Sequence, residues 1–212
     1  MNDFLWRIYH RLIQDVGTEH YRFLYDKLTL NHRLTGIVGS RGVGKTTLLL
    51  QYIKNHLYAD GQAFYFSADN IYFNENTILG FVNELYLTRN IKYFFIDEIH
   101  IYKNWQQELK NIYDSFPEVH VVFSGSSSLD LIHGAYDLSR RAKLYYLPGL
   151  SFREYLNMKT GSKFQSIVFD DLIQDHFKVS QSLVNTPNIL GYFKEYLLSG
   201  FYPIVFQNSD SF

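Results

Sequence analysis

Cysteine is absent from all 212 residues, which excludes a disulfide framework and any thiolate metal site. That absence suits a reducing compartment, and the expected location is cytoplasmic. No apolar run approaches the length of a membrane-spanning helix, so no transmembrane helix and no membrane partner are expected. Met1 to Arg11 mixes charges with apolar residues and lacks a small-residue cleavage pattern, which argues against a secretory leader. Low-complexity tracts and internal repeats are missing too. An excess of charge of either sign is lacking as well: the formal net charge is −1. The whole chain therefore makes no electrostatic case for nucleic acid, although a local basic groove is compatible with it.

What is present is apolar mass. Hydrophobic residues make up 46% of the chain, enough to bury a sizeable core in one α/β domain, or in one domain plus a fragment of another. The 18 Tyr and 18 Phe are compatible with genomic base composition, with internal packing and with a partner surface.

Gly39-Ser40-Arg41-Gly42-Val43-Gly44-Lys45-Thr46 matches the pattern GxxxxGK[ST] in full. Leu34–Val38 before it reads as a buried strand, and Thr46–Ile53 after it reads as a helix. A strand feeding a glycine loop that opens a helix aims several backbone N–H groups and the positive helix end at one spot. Polyphosphate is the natural guest, with Gly39 through Thr47 as its binding stretch. Lys45 would reach the β- and γ-phosphates, and the Thr46 hydroxyl would ligate Mg²⁺. The competing reading is a glycine-rich turn with a chance lysine.

Tyr93-Phe94-Phe95-Ile96-Asp97-Glu98 is an apolar run that ends in two acids. Its composition suits a central parallel strand buried on both faces. Asp97 would emerge at the carboxyl end of that strand, where open α/β sheets place ligands, and would hold Mg²⁺ directly or through water. Glu98 would act as general base on the attacking water. The blander alternative is an acidic helix cap. The interval between Lys45 and Asp97 leaves room for a helix, a strand and a second helix.

The rest of the core alternates as an α/β fold does. Strands are expected near Leu34–Val38, Ala63–Ser67, Lys92–Ile96, His120–Phe123 and Lys143–Leu147. Helices are expected near Lys45–Tyr58, Thr77–Leu87, Tyr102–Asp114 and Ser127–His133. The fold class is thus α/β, a three-layer sandwich with a parallel five-stranded sheet of order 5-1-4-3-2. An amphipathic helix from Phe4 to Val16, ending at Gly17, precedes it. Trp105, Leu109, Ile112, Tyr113 and Phe116 share one helical face, so Trp105 is expected in the core. Ser151-Phe152-Arg153-Glu154 reads as a capping box, with Leu150 and Tyr155 as its staple. Thr186-Pro187 reads as the N-cap and first residue of a helix that stops at Gly200. Thr160–Asn185 has a weaker pattern, compatible with helix, loop or both. The expected organisation is a helical segment over 1–30, a nucleotide core over 31–158 and a mainly helical stretch over 159–212. The apolar Tyr202–Phe206 near the end hints that this last stretch is incomplete.

Two further groups would complete the site. The strand His120–Phe123 runs into Ser124-Gly125-Ser126-Ser127, and in the expected sheet order its polar end faces the γ-phosphate. Ser126 is the favoured sensor, with Ser124 and Ser127 as rivals and a plain turn-and-cap role as the competing reading. Arg140-Arg141 precedes the fifth strand, where an arginine would act as a finger on a neighbouring subunit's γ-phosphate; a structural ion pair is the alternative. Arg41 would touch phosphate or pair with an acid. His100 reads as a hydrogen-bonded neighbour without a catalytic part.

Taken together, the chain resembles the prokaryotic AAA-type ATPases that join a nucleotide domain to a C-terminal winged-helix or nuclease-like region. The resemblance rests on Gly39–Thr46, Phe95–His100, Trp105 with its helix, Ser124–Ser127, Arg141-Ala142, Leu150–Tyr155 and Gly200–Pro203. It implies an ASCE-type P-loop fold, ATP and Mg²⁺ as ligands, and homo-oligomers. It assigns the phosphate-binding role to Lys45 and Thr46, the metal role to Asp97, the base role to Glu98, the sensor role to Ser126 and the finger role to Arg141. Family members continue beyond residue 212, so the C-terminal region is expected to be incomplete. The lid arginine common in the family has no counterpart, and Gly149 separates Pro148 from Leu150 where many members join them directly.

Two function classes follow. One is a Mg²⁺-dependent ATP hydrolase that couples nucleotide state to a C-terminal effector or DNA- or protein-binding region. The other is a nucleotide-gated regulatory binding module with negligible turnover. A helicase is disfavoured because a second RecA-like core is missing, and a kinase because Glu98 beside Asp97 favours water as acceptor. No Asn/Thr-Lys-x-Asp tetrapeptide is present to read guanine.

Overall fold

The computed structural model describes residues 3–126, 138 and 140–206. They form two compact units, Met1–Pro148 and Gly149–Phe212.

The first unit is built on five short strands: β1 (Leu34–Val38), β2 (Ala63–Ser67), β3 (Tyr93–Asp97), β4 (His120–Gly125) and β5 (Ala142–Tyr146). Every neighbouring pair is parallel and the order is β2-β3-β4-β1-β5. This is the expected order 5-1-4-3-2 read from the other edge. All five residues of β1 are buried, as are Phe94, Phe95, Ile96 and Asp97 of β3. A strand covered on both faces keeps no polar alternation, which is why these segments read as continuous apolar runs.

Parallel strands need crossovers, and here the crossovers are helices: α1 (Asp3–Asp15) leads, followed by α2 (Lys45–His56), α3 (Ile78–Arg89) and α4 (Trp105–Ser115). The chain steps from β1 across to β2 at the far edge, then returns through β3 and β4. Right-handed crossovers therefore put α2 on one face and α3 with α4 on the other. α1 lies beside α2 and reaches over β2. There its Trp6 and Tyr9 rings meet Phe64 at 4.6 and 5.1 Å between centroids. Phe66, on the same face of β2 as Phe64, and Phe73 each meet Phe81 edge-to-face. Much of the aromatic excess is thus core. Trp105 is buried against Phe123, as its helical spacing predicts.

Gly36 sits in the middle of β1 between Phe123 of β4 and Leu144 of β5. A Cβ there would run into both side chains, so the glycine lets large neighbours close over the central strand. The helix ends follow local chemistry. Thr77 caps α3 by accepting from Gly80 N, and Asn90 ends it in the left-handed region at φ 55°. The helix expected at Ser127–His133 lies outside the described residues.

The second unit contains α5 (Phe152–Thr160), α6 (Phe169–Gln174), α7 (His176–Val184) and α8 (Ile189–Ser199). The capping box forms: Glu154 N donates to Ser151 Oγ, and Ser151 N donates to Glu154 Oε2 at 2.9 Å. α5 packs on α8 through Phe152 with Phe193 and Tyr155 with Tyr196. Gly149 is explained by this packing, because a Cβ at that position would overlap the Phe201 ring. One expectation is corrected. Thr186 and Pro187 lie in a turn before α8, whose N-cap is Asn188 at φ 57°. The turn consumes the residues that would otherwise open the helix.

Phe64 anchors α1 to the sheet, so Phe64→Ala should lower stability by about 3–5 kcal/mol, measured by chemical denaturation. A loss below about 1 kcal/mol would mean that α1 does not depend on this contact.

Candidate functional site

The loop between β1 and α2 makes two left-handed turns, at Gly42 (φ 84°) and Gly44 (φ 92°). Only glycine adopts both without strain. Its first residue, Gly39, is held by donating to Gly125 O at 3.3 Å, and a Cβ there would strike the Leu147 carbonyl. Val43 is buried, Ser40 and Thr46 are half-buried, and Arg41 and Thr47 are exposed.

Lys45 is the first residue of α2 and is almost fully buried. Its Nζ donates to Gly39 O at 2.9 Å and to Ser40 O at 3.1 Å. Burial pulls its pKa below the usual lysine value, and the nearby Glu98 and Asp97 charges work against that pull.

Asp97 ends β3 at the same edge of the sheet. Thr46 Oγ1 donates to Asp97 Oδ2 at 2.5 Å, and the Tyr65 hydroxyl donates to the same oxygen at 3.0 Å. The Ser124 hydroxyl donates to Asp97 Oδ1, and Glu98 N donates to that oxygen at 3.1 Å. Asp97 is 3% exposed, and these donors replace the water its carboxylate has lost. Burial and the adjacent carboxylate hold the Tyr65 hydroxyl far above its ordinary pKa, so it remains a donor.

Glu98 takes φ 51° and ψ 37°, a left-handed conformation uncommon for a side-chain-bearing residue. It begins the 3-10 turn Ile99–Ile101. Strain of this kind, on the order of 1–3 kcal/mol, collects at functional sites. Glu98 Oε2 lies 3.4 Å from His100 Nδ1, within ion-pairing reach but without hydrogen-bond geometry.

The structure therefore brings Gly39–Thr46, Asp97, Glu98 and the end of β4 to one edge. Ser124 is fully buried and committed to Asp97. Ser126 lies two residues on, past the strand end and half-buried. Ser127 lies outside the described residues. Arg141 is not at this edge. It precedes β5, whose first residue Ala142 is level with Leu34 at the start of β1. The five residues of β1, at about 3.3 Å each, separate it from the loop. There Arg141 Nε lies 3.5 Å from Asp114 Oδ1, with the guanidinium over the Tyr113 ring. Arg140 beside it is exposed.

Tyr65 and Ser124 are the residues that sequence reading missed as holders of Asp97. The first lies in an apolar run and reads as packing; the second was a rival for a different role. A phase argument had the signal, because Tyr65 stands two residues before Ser67, the register partner of Asp97, and so shares its face.

The donor set suits Mg²⁺, a hard cation that takes oxygen ligands and keeps several waters. A hydroxyl and a carboxylate oxygen stand together at Thr46 and Asp97. Among the described residues no group of three or more His, Cys, Asp or Glu could hold a metal. Substrate oxygens and water would therefore supply the remaining ligands. Among the described residues no helix is long and apolar enough to cross a membrane.

The family described as AAA domain matches residues 31–156. No curated protein matches the chain. Among solved structures, the chain is similar to a replication initiator DnaA bound to AMPPCP and single-stranded DNA. The identity is 19% and the TM-score 0.49, over 90% of this chain and 65% of that one. DnaA from Aquifex aeolicus bound to AMPPCP gives 18% identity and a TM-score of 0.47, over 99% and 65%. The S. cerevisiae Hsp104–ADP complex gives 18% and 0.46, over 72% and 23%. The chain thus spans 65% of the length of these two DnaA structures.

Tyr65→Phe removes one donor from Asp97 and leaves the ring in place. Affinity for ATP should fall about tenfold when Mg²⁺ is present and stay unchanged in its absence, read by calorimetry. An equal loss in both conditions would contradict a metal-directed role for Asp97.

Proposed function

This chain belongs to the AAA domain family, and from that premise we propose that it binds ATP with Mg²⁺ at Gly39–Thr47 and hydrolyses it. In this reading residues 31–158 are the nucleotide core, 1–30 lead into it, and 159–212 begin a C-terminal region. Nucleotide state would be coupled to that region, as an effector or as a DNA- or protein-binding part. The observation that carries the proposal is the contact of Thr46 with Asp97 at 2.5 Å, which unites two motifs far apart in sequence.

Each residue has a distinct task. The backbone of the loop and the N-terminus of α2 receive the polyphosphate. Lys45 places a positive charge against it, and must stay protonated to do so. Thr46 and Asp97 would hold Mg²⁺, which would supply positive charge to neutralise that developing on the phosphate oxygens. Glu98 accepts a proton from water as the water oxygen bonds to the γ-phosphorus and the bond to the bridging oxygen breaks, leaving ADP and phosphate. Ser126, free of the Asp97 contact that occupies Ser124, is the sensor of the γ-phosphate. Arg141 serves a neighbouring copy, which makes the competent species a homo-oligomer.

The placement of Arg141 favours a second reading, the nucleotide-gated regulatory module with negligible turnover. A lone chain would bind ATP at one end of the sheet while its arginine stood at the other, paired with Asp114.

Three outcomes are expected. Lys45→Ala should weaken Mg-ATP binding about a hundredfold in calorimetry; unchanged affinity would sink the proposal. Because the pKa of Lys45 is depressed, its charge is lost at lower pH than that of an ordinary lysine. ATP binding should therefore weaken as pH rises toward that range and should take up protons there, seen as a buffer-dependent binding heat. Phosphate release per chain should rise with chain concentration in the wild type and stay flat in Arg141→Ala. A per-chain rate independent of concentration in both would remove the finger role.

A further inference from the structure

Arg22 lies in the segment between α1 and β1, outside every motif in the sequence, yet it is 4% exposed. Its Nη1 donates to the carbonyl of Val43, inside the phosphate loop, and its Nη2 donates to Pro148 O at 2.8 Å, just past β5. The segment that carries it is tied to the helix leaving that loop. Gln51 Nε2 donates to Gly17 O at 2.8 Å and to His20 O at 2.9 Å. Lys54 Nζ donates to Gln14 O at 3.1 Å and to Val16 O at 2.9 Å. Asn55 Nδ2 reaches the hydroxyls of Tyr21 and Tyr25, each at 2.9 Å. Loop, α2, segment and Arg22 therefore close a ring back onto the loop.

The Val43 carbonyl belongs to the same peptide unit as the Gly44 N–H. In a trans peptide the two point in opposite directions, and no cis bond is present among the described residues. A guanidinium fixed on the carbonyl side thus fixes the direction of the N–H on the other side. It also polarises the unit, because a charged donor on C=O strengthens the N–H as a donor, most of all where the surroundings exclude water. Val43 is 1% exposed. Gly44 N–H donates to no group among the described residues, and it opens α2 at the positive end of the helix dipole.

We propose that Arg22 is a positioning residue for nucleotide binding: it holds the Val43–Gly44 peptide with its N–H directed at the bound polyphosphate and raises the strength of that donor. This rests on the reading of Gly39–Thr47 as a phosphate loop. Lysine is not a substitute, since spanning carbonyls of two separate segments takes the planar fork of arginine. The N-terminal segment thereby becomes part of the nucleotide site without touching nucleotide.

The test uses the full chain and two variants, Arg22→Lys and Arg22→Gln. Three quantities are measured: the Gly44 amide proton shift without nucleotide, calorimetric affinity for Mg-ATP, and the melting temperature without nucleotide. Both variants should move the Gly44 amide upfield and weaken Mg-ATP binding about tenfold, with Arg22→Lys melting close to wild type. An unmoved Gly44 amide overturns the proposal. So does a loss of affinity that only follows a loss of folded protein. Should the wild type bind no Mg-ATP, the phosphate-loop reading fails by itself, and the Gly44 shift still decides whether Arg22 sets that peptide.

Discussion

An ionised carboxylate withdrawn from water costs several kcal/mol unless donors replace its hydration, and Asp97 is such a group. Thr46 from α2, Tyr65 from β2, Ser124 from β4 and the amide of Glu98 all converge on it. Those donors arrive only if β2, β3 and β4 lie in that order and register. Ser67 pairs with Asp97, which brings Tyr65 to the same face, and Ile96 pairs with Phe123, which sets Ser124 beside the carboxylate. A slip of one residue in either neighbour would turn its donor to the opposite face. One buried acid therefore specifies sheet register and, in the proposed function, holds the metal.

The central strands and the phosphate loop were legible because their signals are local. Strands buried on both faces are continuous apolar runs, and a glycine loop with Lys-Thr opening a helix leaves a fixed spacing. Strand order was expected from the phosphate loop on the first strand and the acid-ended strand third, and the sheet has that order. Tyr65, Ser124 and Arg22 escaped for the opposite reason. Each acts across a strand pair or between distant segments, and a tyrosine in a run of Phe and Ala looks like packing until its neighbour is known. At Thr186-Pro187 a real helix-start signal was present, but Asn188 in the left-handed region took the cap.

Residues 160–206 show how far periodicity carries. α6 to α8 form where apolar residues recur, yet none of the residues described in them is fully buried. Phe169, Ile173, Phe177, Leu190 and Leu198 are each more than half exposed. A helical period marks an apolar face; it does not say what covers that face. Gly149 was visible as a departure from the resembling family, and only the nearness of Phe201 gives it a physical cause.

The proposed function turns on Glu98, held at φ 51° one residue past Asp97. The most direct measurement is Mg²⁺-dependent phosphate release from ATP by wild type and Glu98→Gln, at chain concentrations that favour assembly and at matched nucleotide occupancy. The account predicts release by the wild type and a fall of about 10²–10⁴-fold in the variant, with ATP still bound. Equal release by both would contradict a base role for Glu98, and no release from either, with ATP bound, would leave the nucleotide-gated module as the function.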